Sequence, residues 1–341
     1  ASATDQLIEA VRAADADGEP VLLLGGGSNL VISDDGFPGT VIHVNTRGVS
    51  YAYAGDDGHV AVTVAAGEDW DDVVAATVAE GLAGLEFLSG IPGRAGATPI
   101  QNVGAYGQEV AEVITGVRVF DRLTGETSII PNERCCFSYR TSIFKAGGFG
   151  GSFAATRASG AKGGNQCVVT GATFRLSREN LSRPVRYAEL ASELGVEMGE
   201  RVSVADARSG VLKIRARKGM LLNPGDPDSR SAGSFFTNPV LSEEQFARLE
   251  ASVAGPVPRF DGGQGRVKVP AAWLIEHAGF GKGHGAPGRV RISSKHTLAL
   301  VNAGGATTAD LLALAREIRA GVRAAFGVTL NPEPILVGVT L

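Results

Sequence analysis

Apolar positions recur at helical spacing through residues 7–14 (Leu-Ile-Glu-Ala-Val-Arg-Ala-Ala), which predicts an amphipathic helix. The unbroken apolar run Val21–Leu24 reads as a short buried strand, and residues 30–33 and 40–44 read as two more, set around an Asp34-Asp35-Gly36 turn. Farther along, 60–65 alternates with a period of two, as a half-buried strand does. Trp70–Ala79 predicts a helix ending at Gly81, and 117–121 and 168–175 predict strands. The stretch 146–164 is rich in Gly, Ala and Ser and predicts an exposed loop. Residues 202–218 and 307–325 predict helices, the second with an N-cap at Thr307 or Thr308. The tail ends in an apolar strand expected to dock on an existing sheet, and no internal repeat is visible.

Between the strand Val21–Leu24 and the next lies Gly25-Gly26-Gly27-Ser28-Asn29. A dinucleotide fingerprint needs a helix directly after its glycine loop, because the helix N-terminus holds the pyrophosphate. Here β-type sequence follows, and Leu30 stands where the third glycine would fall, so that reading fails twice. A glycine loop between strands can still bind phosphate by turning successive N–H groups into one concave nest. A second glycine segment, 88–107, holds five glycines, two prolines and the polar residues Ser89, Thr98, Gln101 and Asn102. No helix or strand of ordinary length fits through it. It is either a long structural loop or a ligand cradle.

The 341-residue length predicts two or three lobes, and 47 glycines without a fixed period exclude collagen-like and repeat arrays. A net charge of −4 without any long basic run sets nucleic acid aside as a partner. The longest apolar runs fall well short of the ~20 residues a membrane helix requires. Three cysteines, two of them adjacent, fit a reducing compartment, so a cytoplasmic protein is expected. No Gly-x-Ser-x-Gly elbow surrounds Ser28, Ser152 or Ser234, and the five histidines lack a His-Glu-x-x-His spacing. No metal is expected. Three short segments remain: 137–145 with Arg140 between aromatics, 232–239 with Ser234, and Asn331-Pro-Glu-Pro, whose prolines hold Glu333 extended. Each alone reads equally as a packed surface arginine, a turn or cap hydroxyl, and a stiff tail.

As a set, 25–34, 84–107, 139–145, 233–239 and Glu333-Pro, with 279–283 and 294–301, resemble the UDP-N-acetylenolpyruvoylglucosamine reductase family, in its order and over almost the whole chain. The likeness is to the larger subtype, which has a tyrosine loop in its substrate domain. The resemblance implies an α+β fold: a two-lobed FAD-binding domain of the vanillyl-alcohol-oxidase type, followed by an α+β substrate domain. The implied divisions are 1–47 and 48–178 for the flavin lobes, 179–322 for the substrate domain, and 323–341 as a tail returning to the flavin domain. It further implies a monomeric enzyme that binds FAD, consumes NADPH and reduces an enolpyruvyl UDP-sugar for peptidoglycan synthesis.

Carried over residue by residue, the resemblance makes Arg140, Ser234 and Glu333 catalytic: Arg140 on the substrate carboxylate, Ser234 as proton donor, Glu333 assisting. It places the flavin on Gly25, Gly26, Gly27, Ser28 and Asn29, and on Ser89, Gly90, Gly93, Gly96, Ala97, Thr98, Gln101, Asn102, Gly104 and Ala105. Tyr139, Tyr187 and Lys218 fall to the substrate, with Asn238, Lys282 and Lys295 for the nucleotide or the NADPH phosphates. Thr141 stands where the family often has an acidic residue. The sequence opens at the first helix, so a family element with Asn/His-Thr ahead of it is expected to be missing from lobe 1. A flavin oxidase of the same fold would need a base that the Ser234 segment does not supply. A non-catalytic flavin binder has no reason to assemble Arg140, Ser234 and Glu333.

Overall fold

The computed structural model describes residues 1–53, 58–145 and 166–341, so the loop expected at 146–164 lies outside the described residues. The chain forms two compact units, 1–28 with 37–216 and 29–36 with 217–341.

In the first unit five strands form an antiparallel sheet in the order Val49–Ala52, His59–Ala65, Cys167–Ser177, Ile114–Asp121, Thr127–Pro131. The alternation seen in the sequence is the pleat itself: Val60, Val62 and Val64 are fully buried, while the residues between them are only partly covered. The helix Trp70–Ala79 packs Trp70, Val73 and Val74 into the same core, with the Trp70 ring 5.7 Å from that of Phe174. The helix Thr4–Ala16 buries Leu7, Ile8, Val11 and Ala14, one face at positions i, i+1, i+4 and i+7, against Val21 and Ile42.

By compactness, residues 179–216 group with the first unit. The helices Ala188–Leu194 and Val204–Arg217 bury Leu190, Ala207, Val211 and Ile214 against Phe87 and Tyr106. Each fully buried aliphatic side chain contributes roughly 1.5–3 kcal/mol, enough to hold these helices in the first unit.

The strands at 30–33 and 40–44 do not pair around their turn. Val21–Leu24 pairs in parallel with Thr40–His43, and Leu30–Ile32 with Ile335–Val337 in the second unit. The intervening Asp34 is committed elsewhere: its carboxylate accepts from Thr308 N at 2.8 and 3.1 Å. The tail strand thus makes its own two-stranded sheet instead of extending a larger one. The second unit also holds a three-stranded sheet, Ser231–Ser234 beside Ala299–Asn302 beside Val290–Ile292. Its longest helix, Thr308–Phe326, starts on a Thr307–Asp310 capping box and ends at Gly327 with φ +67°.

Candidate active site

The first unit brings the two glycine segments into backbone contact. A Cβ on Gly26 would lie 2.9 Å from Gly93 Cα, and Ser28 Oγ donates to Pro92 O at 3.1 Å. Gly27 (φ +69°) and Gly93 (φ +121°) adopt conformations that L side chains rarely enter. Gly26 and Gly27 themselves face solvent. The result is an exposed, side-chain-free shelf backed by a second loop, which suits close backbone approach to a diphosphate.

The polar side chains of the second segment face inward. Ser89 Oγ donates to Glu86 O (2.6 Å) and Thr98 Oγ1 to Ala95 O (2.8 Å). Asn102, 1% exposed at φ +46°, donates to Glu109 Oε2 and Ser138 O and accepts from Ala111 N. These three hold the loop in shape. Gln101 is half-buried, as are Gly104 and Ala105, which form a short strand with Gln108 and Glu109. Gly96 sits so close to Ala66 that any Cβ would clash. Ala97 lies in the same 3-10 turn.

Sequence reasoning missed the clamp on Gly90. Its N–H donates to Asp71 Oδ1 (2.5 Å), and its carbonyl accepts from Arg215 Nε (3.1 Å). Asp71 is held in turn by both guanidinium nitrogens of Arg208, at 2.6 and 2.9 Å. Burial alone would raise the Asp71 pKa; the hydrogen bonds from Arg208 and Gly90 outweigh it and hold the carboxyl below its ordinary range. Arg215, 5% exposed, also hydrogen-bonds Tyr106, whose hydroxyl burial pushes up to about 12. The available signal was the spacing of Arg208 and Arg215, seven residues apart and so two turns along one helix face.

Arg140 stands in the same unit, at the tip of a turn closed by reciprocal backbone bonds between Ser138 and Thr141 (3.1 Å each), so the departure at Thr141 leaves the turn intact. Its φ is +55°. A non-glycine residue in that region costs about 1 kcal/mol, and such strain concentrates at functional positions. The guanidinium donates to Gly104 O at 2.8 Å and lies 5.4 Å over the Tyr139 ring, so this turn is docked on the second glycine segment. Tyr187 meets Tyr106 edge-on at 5.5 Å and remains 40% exposed.

Ser234 and Glu333 belong to the second unit, where the fold makes them neighbours. Ser234 ends the strand Ser231–Ser234 rather than capping a helix or turn. Between Ser231 and Ser234 the register against Val301 and Ala299 slips, and Gly233 has φ +73°. Bulges of this kind bend the strand and change the aim of the residue that follows, here Ser234. On the other side Glu333 N donates to Phe235 O (2.8 Å), and Phe236 bridges Pro332. Glu333 is half-buried, and Asn29 Nδ2 donates to its carbonyl (3.3 Å). Asn238 Oδ1 accepts from Ala271 N at the start of the helix Ala271–His277, a capping role. Lys295 is ion-paired with Asp226 (2.7 Å), Lys218 is half-buried and Lys282 is exposed. Among the described residues no group of three His, Cys, Asp or Glu could hold a metal ion, and no helix is long and apolar enough to cross a membrane.

Residues 1–129 match the family described as FAD binding domain, and 226–337 match UDP-N-acetylenolpyruvoylglucosamine reductase, C-terminal domain. The UDP-N-acetylenolpyruvoylglucosamine reductase of Thermobifida fusca is 55% identical over 100% of this chain and 92% of its own length. That of Streptomyces coelicolor is 54% identical over 98% of this chain and 84% of its own. The chain belongs to the UDP-N-acetylenolpyruvoylglucosamine reductase family. It is an α+β oxidoreductase with FAD as cofactor and NADPH as co-substrate. The crystal structure of the Thermus caldophilus enzyme agrees, with a TM-score of 0.60 and 25% identity over 97% of this chain and 89% of that one. The glycine shelf fits such a cofactor, because its exposed face offers backbone where a side chain would obstruct.

Proposed function

We propose that this chain reduces UDP-N-acetylglucosamine enolpyruvate to UDP-N-acetylmuramate in the cytoplasm, as a monomer, with residues 1–47 and 48–178 serving the flavin and 179–322 the UDP-sugar. FAD, which residues 25–29 and 89–105 would hold, would when bound supply hydride chemistry toward C3 of the enol ether, with NADPH as the reductant. Negative charge then grows toward C2 and its carboxylate. Arg140 holds that carboxylate and stabilises the charge through charge-assisted hydrogen bonds. Glu333 assists the polarisation from the segment 323–341. Ser234 gives its hydroxyl proton to C2; a serine is a weak acid, but a carbanion-like centre is a strong base. Tyr139, Tyr187 and Lys218 bind the sugar diphosphate, with Lys218 offsetting the repulsion of a −4 chain. Asn238, Lys282 and Lys295 serve the nucleotide ends. Lys295 does so beside its bond to Asp226, and Asn238 beside its capping of Ala271.

The observation that carries this reading is the juxtaposition of the two segments: Glu333 N donates to Phe235 O and Phe236 bridges Pro332, with the bulge at Gly233 directly before Ser234. The direct test is a visible spectrum of the purified full-length protein, titrated with NADPH with and without the enolpyruvyl sugar. A yellow protein, bleached by NADPH and recoloured by the sugar, is expected. A protein that added FAD leaves colourless, or that the sugar does not recolour, overturns the reading.

The bulge gives a sharper expectation. A Cβ at Gly233 meets no atom within 4 Å, so Gly233→Ala acts only through its φ of +73°. It should cost about 1 kcal/mol of stability, read as a modest loss in Tm. A displaced Ser234 should slow flavin reoxidation by the sugar by roughly 10- to 100-fold. Reoxidation at the parent rate would mean that the bulge does not set the aim of Ser234.

A further inference from the structure

The strand that ends at Ser234 is preceded by the short 3-10 turn Pro227–Ser229, whose middle residue, Asp228, is 2% exposed. Its carboxylate accepts four hydrogen bonds from the far side of the sheet. Oδ1 takes Arg291 Nη2 (3.1 Å); Oδ2 takes Ser293 Oγ (3.1 Å), Ser294 N (3.0 Å) and Ser294 Oγ (2.6 Å). Ser293 Oγ in turn accepts from Lys295 N (3.0 Å) and His296 N (3.1 Å), which winds up the loop 293–298. The other end of that loop is what Ser234 rests on. Ala299 N returns to His296 O (3.1 Å), Ala299 is the register partner of Ser234, and Phe235 N donates to Leu298 O (2.7 Å). One buried carboxylate therefore ties the turn before Ser234 to the loop beneath it.

We propose that Asp228 is a positioning residue for Ser234, holding the hydroxyl at the height and direction that proton delivery needs. The inference rests on the reading of Ser234 as the proton donor. A carboxylate is required because three donors converge on a single oxygen, and an amide would set its own N–H₂ against either them or Arg291. Burial pushes the Asp228 carboxyl up, but the bonds from Ser294, Arg291 and Ser293 outweigh it and keep the group below its ordinary pKa, hence ionised at neutral pH. Neither Asp228 nor Ser294 is assigned any contact with substrate or flavin, so their effects should travel through Ser234 alone.

The test compares Asp228→Asn, Ser294→Ala and Ser234→Ala in the holoenzyme. Four quantities are measured: Tm, sugar affinity from the flavin spectral perturbation, flavin reduction by NADPH, and reoxidation by the enolpyruvyl sugar in H₂O and D₂O. In Asp228→Asn, reduction should stay within about twofold of the parent and sugar affinity within about threefold, while reoxidation slows roughly 10- to 100-fold. The solvent isotope effect on reoxidation should grow, which a merely structural loss would not produce. Ser294→Ala removes only the 2.6 Å bond, keeps the backbone donor, and should slow reoxidation about threefold to tenfold. It decides the question if Asp228→Asn does not fold. Slowing of both half-reactions alike, or unchanged reoxidation in folded Ser294→Ala, overturns the role of Asp228. If Ser234→Ala itself leaves reoxidation untouched, the reading beneath it has failed instead, and the inference falls with it.

Discussion

Ser234→Ala is expected to reduce its flavin with NADPH at a rate within about twofold of the parent, yet to be reoxidised by the enolpyruvyl sugar ~10²- to 10⁴-fold more slowly, the range for losing a general acid. The separation follows from where the hydroxyl acts. NADPH oxidation needs no proton at C2 of the sugar, whereas product formation cannot finish without one. The local structure makes alanine a clean probe. Ser234 ends a strand whose backbone is fixed by Leu298 on one side, through Phe235 N, and by Glu333 on the other, through Phe235 O. None of those bonds uses the serine side chain, so the backbone should stay in place when the oxygen is removed. Stopped-flow absorbance of the two half-reactions measures both rates. Equal slowing of the two would make Ser234 a structural residue.

Much of this arrangement was legible from local chemistry. Val60, Val62 and Val64 announced a half-buried strand because one sheet face is covered and the other is not. Thr307 or Thr308 announced a helix start because such a side chain satisfies a backbone donor at that end, and the structure places the cap on Thr307. The second glycine segment stood out as either a structural loop or a cradle because no helix or strand of ordinary length passes through it. What stayed hidden depends on long-range pairing. The sequence does not say that Leu30–Ile32 would choose Ile335–Val337 as its partner, since two short apolar strands pair equally well on paper. Nor does it say that Asp71 would reach Arg208, 137 positions on, to pin Gly90. The bulge at Gly233 was equally invisible: the glycine was evident, but its φ of +73° exists only once Ser231–Ser234 lies against Ala299–Asn302. The proposed trio of Arg140, Ser234 and Glu333 was legible only through family likeness, because an arginine, a serine and a glutamate at ordinary positions carry no mark of their own.

Gly26→Val is expected to yield a folded protein that does not retain FAD. The shelf was first expected to need glycine so that the flavin could approach its backbone. The structure adds a second reason: the Cβ of any residue at 26 is directed at Gly93 Cα from 2.9 Å, closer than real Cβ contacts come. The obstruction is backbone, which cannot swing aside as a side chain would, so one of the two loops must move. Overpacking of this kind costs typically about 1–3 kcal/mol. Here it falls on Gly26, itself exposed, so Tm of the apoprotein should drop modestly while the cradle loses its shape. Conformational strain does not confuse the result, because Gly26, unlike Gly27, has no positive φ. Gly25→Ala supplies the contrast: its Cβ would meet only the flexible Arg94 side chain, at 3.4 Å, and flavin should be kept. The flavin-to-protein absorbance ratio after gel filtration, with circular dichroism for the fold, separates the two variants. Stoichiometric FAD on folded Gly26→Val would show that the contact between these loops is not what shapes the flavin site.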